Sequence, residues 1–381
     1  MAGLILLFCF FANQPTAHAD GGAPNLAYVA GGGPGISVID VMQQRIVRTM
    51  TQNAAPTMTQ LSSDGSTLFI VQPSQSRALV VDAATGKTRC QANAPGQPSL
   101  LVLSKQEDGF FVAGNGDTRV REFDPRTCKL LHTISVPGPI YGLTTALDGG
   151  VFPTHTGLYQ LCVATSNQVL IFDPDGKQLA SYPVPAQPRS ISAPPLDFIL
   201  YVTTQQGSVV AIDLNANRVT PPLLSGGTFG PMDYDETTHE VYVPDMQHKQ
   251  VDVIAYKPKR NNQAQTPSAL LRVFPTNGVP VAVAITSDGQ MGFIALQDGH
   301  VIMLDLPGRQ TMQTFTVNGN PHFIITGVYP PLPVPASNQP EKAAQTSSTG
   351  SNGLLILFVV IFLLALGGLI VTLRMLWKQR R

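Results

Sequence analysis

"GISVIDVMQQRIVRTM", residues 35–50, holds two strand-like runs, "SVID" and "RIVRTM", either side of a short polar break. The first run returns with an aspartate at its end: "LVVD" at Asp82, "REFD" at Asp124, "LIFD" at Asp173, "VAID" at Asp213 and "IMLD" at Asp305. From Asp40 to Asp213 the steps are 42, 42, 49 and 40 residues, and "DVIAYK" (252–257) fills the next slot without a terminal Asp. Self-similarity at ~40–50 residues is the mark of a propeller or another repeat array.

Working outward, every unit has the same grammar. A run such as "YVAG", "LFIVQ", "FFVAG", "LCVAT" or "LYVTT" precedes the "SVID" type, and a third run such as "LLHTISV" or "TMQTFTV" follows it. A fourth run comes after Pro or Gly, as in "PTMTQLSSDG", "PSLLVLSKQEDG" and "PVAVAITSDG". Asp-Gly at 64–65, 108–109, 148–149 and 288–289 supplies the tight turn from this run into the next unit. Four strands of five or six residues with short turns occupy ~40 residues, so each unit predicts one four-stranded antiparallel sheet. The chain starts with three strands of a sheet (26–50) and ends its repeats with an orphan strand (321–328). Exposed sheet edges are unfavourable, and pairing these two pieces seals a ring. The expected fold is all-β: a seven-bladed β-propeller closed by N- and C-terminal strands in one blade.

"YVTT" (201–204), "AYVA" (27–30), "SVID" and "TSDG" resemble the repeats of the YVTN-type β-propeller family. The resemblance covers roughly residues 26–329 and implies seven blades and an extracytoplasmic or envelope location. The WD dipeptide is absent and the only Trp lies at 377, so WD40 is not the matching label. "VVDAATGKTRC" (80–90) is similar to a quinoprotein dehydrogenase repeat, but it occurs once and has Cys90 at that family's Trp position.

Both ends are hydrophobic. "LILLFCFF" followed by "AHAD" reads as a secretory leader covering 1–19, cleaved before Asp20. "LLILFVVIFLLALGGLIVTL" (354–373) is twenty uncharged residues, the length at ~1.5 Å per residue that spans a ~30 Å hydrocarbon core. The basic "RMLWKQRR" (374–381) marks the cytoplasmic side by the positive-inside rule. The predicted organisation is therefore a leader (1–19), a propeller (20–331), a Pro/Ser/Thr-rich linker (332–352), a transmembrane helix (353–373) and a cytoplasmic tail (374–381). The propeller is placed outside the cytoplasm of a cell membrane, as a single-pass type I protein.

The 24 basic and 24 acidic side chains balance, and no basic run occurs before the tail, so nucleic acid is not an expected partner. Cys90, Cys128 and Cys162 remain after the leader; they are too sparse for a disulfide scaffold and read as ordinary strand residues. In a compartment that oxidises thiols, three cysteines allow at most one bridge.

The recurring aspartates invite a catalytic or metal-binding reading. Their successors, "DPRT", "DPDG", "DLPG", "DAATG" and "DLNAN", point to turns instead, with the Asp side chain bonding backbone two residues on. "ATGKT" lacks the first P-loop glycine, and "GNGDTR" has Arg119 where a dinucleotide loop needs glycine. The histidines have no metal-ligand spacing, and no motif calls for a cofactor or metal.

Propellers bind over the central axis, on loops entering the innermost strands. In this repeat those positions follow the Pro or Gly: Thr57, Ser99, Tyr141, Arg189, Met232, Val281 and His322. Arg189 and His322 are the ionisable members. Mostly small polar and apolar side chains favour binding over catalysis. The expected function is a membrane-anchored extracytoplasmic module that binds a protein, peptide or envelope polymer. The alternative is a lactonase-like propeller enzyme with its site at the channel mouth, which needs converging carboxylates or histidines.

Overall fold

The computed structural model describes residues 26–31, 33–147, 159–194, 198–256 and 270–327. Seven antiparallel sheets account for its strands. Blade 1 runs from Met58–Leu61 to Thr88–Asn93, blade 2 from Pro98–Leu103 to Leu130–Ser135, and blade 3 from Ile140–Leu147 to Gln178–Pro183. Blade 4 opens with Pro188–Ser192, blade 5 with Asp233–Asp235 and blade 6 with Pro280–Ile285. In blade 7 the last strand, Pro321–Gly327, pairs with the first, Leu26–Gly31, which continues into Gly35–Asp40 and Arg45–Thr51. The ring is sealed inside one sheet, with Val29 opposite Ile324.

Packing explains the sequence texture. The second and third strands of a blade are buried along nearly their whole length, as in Leu26–Gly31 and Gly35–Asp40. They lie between two neighbouring blades, so both faces are apolar and the runs are continuous. Ala27 and Val29 pack against Phe293 and Met303 of blade 6, while Leu26 and Tyr28 pack against Leu68 and Ile70 of blade 1. Each fully buried aliphatic side chain contributes about 1.5–3 kcal/mol. Outermost strands alternate, as in Thr88–Asn93, because only one residue in two finds a neighbour.

The aspartate turns repeat down to the backbone. Oδ1 of Asp40, Asp82, Asp124, Asp213 and Asp305 accepts the N–H of the residue three positions on, one further than the sequence suggests. Four positions on, Gln44, Gly86, Cys128, Asn217 and Arg309 all have φ between 49° and 75°. "DPDGK" is one residue shorter and uses Gly176 for the same left-handed step, at φ 80°. The carboxylates are therefore turn builders between the third and fourth strands. Among the described residues, no three or more His, Cys, Asp or Glu converge to hold a metal.

The cysteines depart from expectation. Cys90 and Cys128 form a disulfide, and only Cys162 is free and buried among those described. Cys128 is not a strand residue. It takes the left-handed turn position of blade 2, beside the outermost strand of blade 1 that carries Cys90.

Among the described residues no helix is long and apolar enough to cross a membrane. The predicted leader, linker, span and tail lie outside them, as does the 148–149 turn.

Candidate site at the channel mouth

The first strand of each blade faces the axis, and together they enclose a cavity of about 620 Å³. Thr57, Ser99, Tyr141, Arg189, Met232 and His322 all line it. These six come from six blades and are brought together only by the ring. Val281 is not in the lining; it packs against the apolar cluster shared by blades 6 and 7.

A local irregularity places them. The pairing register slips between Pro98 and Leu100, Ile140 and Gly142, Pro188 and Ser190, and Pro280 and Ala282, leaving Ser99, Tyr141, Arg189 and Val281 as the extra residues. The ladder of the sealing blade steps from Phe323 to Pro321 and leaves out His322 in the same way. Each is a β-bulge, and a bulge at a sheet rim re-aims the side chain it inserts. Thr57 and Met232 stand just ahead of their strands.

The cavity has two unlike ends. At the near mouth, where inner strands begin, Arg189 Nη2 donates to Gln205 Oε1 at 3.2 Å, and its Nε is buried without a partner. Thr57 Oγ1 is likewise buried and unpartnered. Ser99 Oγ accepts the Asn115 N–H at 2.8 Å. The lining carboxylates are directed to the other end: Asp233 opens its short strand but its side chain reaches Ile285, the last residue of the blade 6 inner strand, and Glu236 follows Asp233–Asp235.

Asp233 Oδ2 accepts the Ile285 N–H at 2.7 Å. Burial is the largest influence on this carboxyl and pushes it up to about 6, against the hydrogen bonds from Ile285 and Tyr234 and with help from the Glu236 and Asp235 charges. Sequence reading picked the near mouth from the residue after Pro or Gly. It missed Asp233, whose signal was an acidic residue at an inner-strand position in "GPMDYDETTH".

Solved structures share this architecture. Kuenenia stuttgartiensis hydrazine synthase is similar with a TM-score of 0.59 at 18% identity, over 71% of this chain and 89% of that one. The dihydro-heme d1 dehydrogenase NirN in complex with DHE gives 0.57 at 14% identity, over 79% and 75%. A functionally unknown protein from Desulfotomaculum acetoxidans DSM 771 gives 0.64 at 14%, over 80% and 99%. The likeness is one of fold alone. No protein-family profile matches the chain, and no curated protein matches it in sequence.

Proposed function

We propose that this chain is a membrane-anchored extracytoplasmic propeller of YVTN type that binds a protein, peptide or envelope ligand at its near mouth. The observation that carries the reading is the bulge row. Four ladders insert a residue into the cavity lining at one end, and a rigid ring holds those side chains at fixed positions. The Cys90–Cys128 bridge supports an oxidising compartment. The apolar segment 354–373 with its basic flank supports the anchor. Gly327, the last described residue, ends an inner strand and so lies at the far end of the channel from Arg189.

The test is a photo-crosslinking amino acid placed at position 141, with exposed outer-strand position 313 as control. A crosslinked partner in native cells from 141 and none from 313 is the expected result. Equal capture from both positions, or capture from 313 only, rejects the mouth.

An enzyme working in the same channel is the second reading, and Asp233 is what favours it. A carboxyl pushed up to about 6 can hold or release a proton close to neutrality. Turnover of a lactone panel that disappears in Asp233→Asn would establish it.

A further inference from the structure

We propose that the near mouth is a carboxylate site, which takes the anionic end of an amphipathic acid whose apolar body lies in the channel. This deepens the binding reading above and rests on it.

Charge is distributed unevenly along the cavity. Among the described residues Arg189 is the only Lys or Arg in its lining, and no carboxylate lies within ion-pair distance of it. A half-buried guanidinium has lost part of its hydration and is normally compensated by a charged acceptor. Here its only described hydrogen bond is to the neutral amide of Gln205. Both lining carboxylates stand at the other end, where Asp233 is committed to the Ile285 N–H.

The rest of the near mouth is rich in donors. Because Ser99 Oγ already accepts from Asn115, its own O–H is left to donate. The Thr57 hydroxyl has no partner, and the Tyr141 hydroxyl and His322 ring line the same cavity. A guanidinium that shares one mouth with several hydroxyls matches a carboxylate, which accepts through two oxygens and pairs with Arg in a fork. Behind this rim the lining offers partly exposed apolar side chains, Leu100, Val102, Phe323 and Ile325, among polar ones such as Thr144, Ser190 and Ser192. A volume of about 620 Å³ holds a body of several residues or a medium alkyl chain.

The chemistry is shared by two sources, a peptide C-terminus with apolar last residues and a lipid-derived acid. Four probes separate them on the full 381-residue chain by titration calorimetry: N-acetyl-Leu-Val acid and its C-terminal amide, and octanoate and octanamide. The expected result is that at least one acid binds tenfold or more tightly than its amide, with a preference that weakens as salt rises. A stronger peptide acid assigns a chain terminus; a stronger octanoate assigns a lipid-derived acid. Arg189→Gln should bring the acid down to its amide and leave the amide unchanged, and Arg189→Lys should retain part of the preference. Should Arg189→Gln fail to fold, the Thr57→Val, Ser99→Ala pair must reduce the preference instead. Acids and amides binding equally, none of the four binding, or a preference that survives in Arg189→Gln overturns the proposal. Crosslinking from position 141 without an acid preference would reject the carboxylate class and keep the mouth. Acid preference without crosslinking would keep the class and reject a macromolecular partner.

Discussion

Cys90 and Cys128 are joined across the boundary between blades 1 and 2, with their Cα atoms 5.8 Å apart. The bridge closes a loop of 38 residues, and in the chain-entropy picture that contributes about 4 kcal/mol. A Cys90→Ser, Cys128→Ser pair should therefore melt well below the wild type. Thiol titration offers a second check. In denaturant without reductant a chain that has lost residues 1–19 should present one reactive thiol, Cys162. Two would mean that Cys9 and the leader are retained.

Closure of the ring depends on the last strand. Ile324 is 2% exposed and packs with residues of blades 6 and 7. Ile324→Ala should cost about 2–5 kcal/mol, read from a chemical denaturation midpoint. Ile324→Asp should do more than lower the midpoint: it should expose the edge of Leu26–Gly31 and promote association between chains. A monomeric Ile324→Asp protein with wild-type stability would contradict the sealed-sheet account.

Two aspartates should respond to pH with opposite sign. Asp233 is raised to about 6, so its neutral form suits the fold, and stability is lost as pH rises from the unfolded value near 3.8 through 6. Asp233→Asn should then stabilise the protein by roughly 2–3 kcal/mol at pH 8 and leave it unchanged near pH 3.5.

Asp82 is lowered to about 2, chiefly by the Arg89 hydrogen bond, with its Oδ2 2.7 Å from Nη2. Its contribution is present above pH 4 and disappears as pH falls toward 2. Asp82→Asn should cost about 0.5–1 kcal/mol at pH 7, a difference that shrinks as pH falls through 2. Thermal melts across this range check both residues.

The fold was legible because one local instruction is written repeatedly. "SVID" and its relatives mark strands buried on both faces, and the aspartate that follows makes the same turn in blade after blade. The orphan pieces at 26–50 and 321–328 then left a single economical pairing. Mouth residues were legible for a related reason, since Pro or Gly fixes where an inner strand begins and the side chain soon after it is the one that bulges. Val281 shows the limit: the bulge is there, yet a valine gains more from the neighbouring core than from the channel. Cys128 could have been placed by counting four residues from Asp124. The meeting of Cys90 with it depends on how adjacent blades sit, and spacing in one chain carries no sign of that. Asp233 was hidden because the energy of a channel carboxyl depends on what surrounds it, which a sequence position does not reveal.

The row of bulges separates two jobs that most binding surfaces combine. A residue squeezed out of the ladder has no paired partner opposite it, so exchanging it leaves the strand-to-strand register intact and removes at most a side-chain hydrogen bond such as those of Ser99 and Arg189. Ser99, Tyr141, Arg189 and His322 can thus drift or be redesigned without eroding the frame. A lineage built on this ring could acquire new specificities through single substitutions while its architecture stayed fixed.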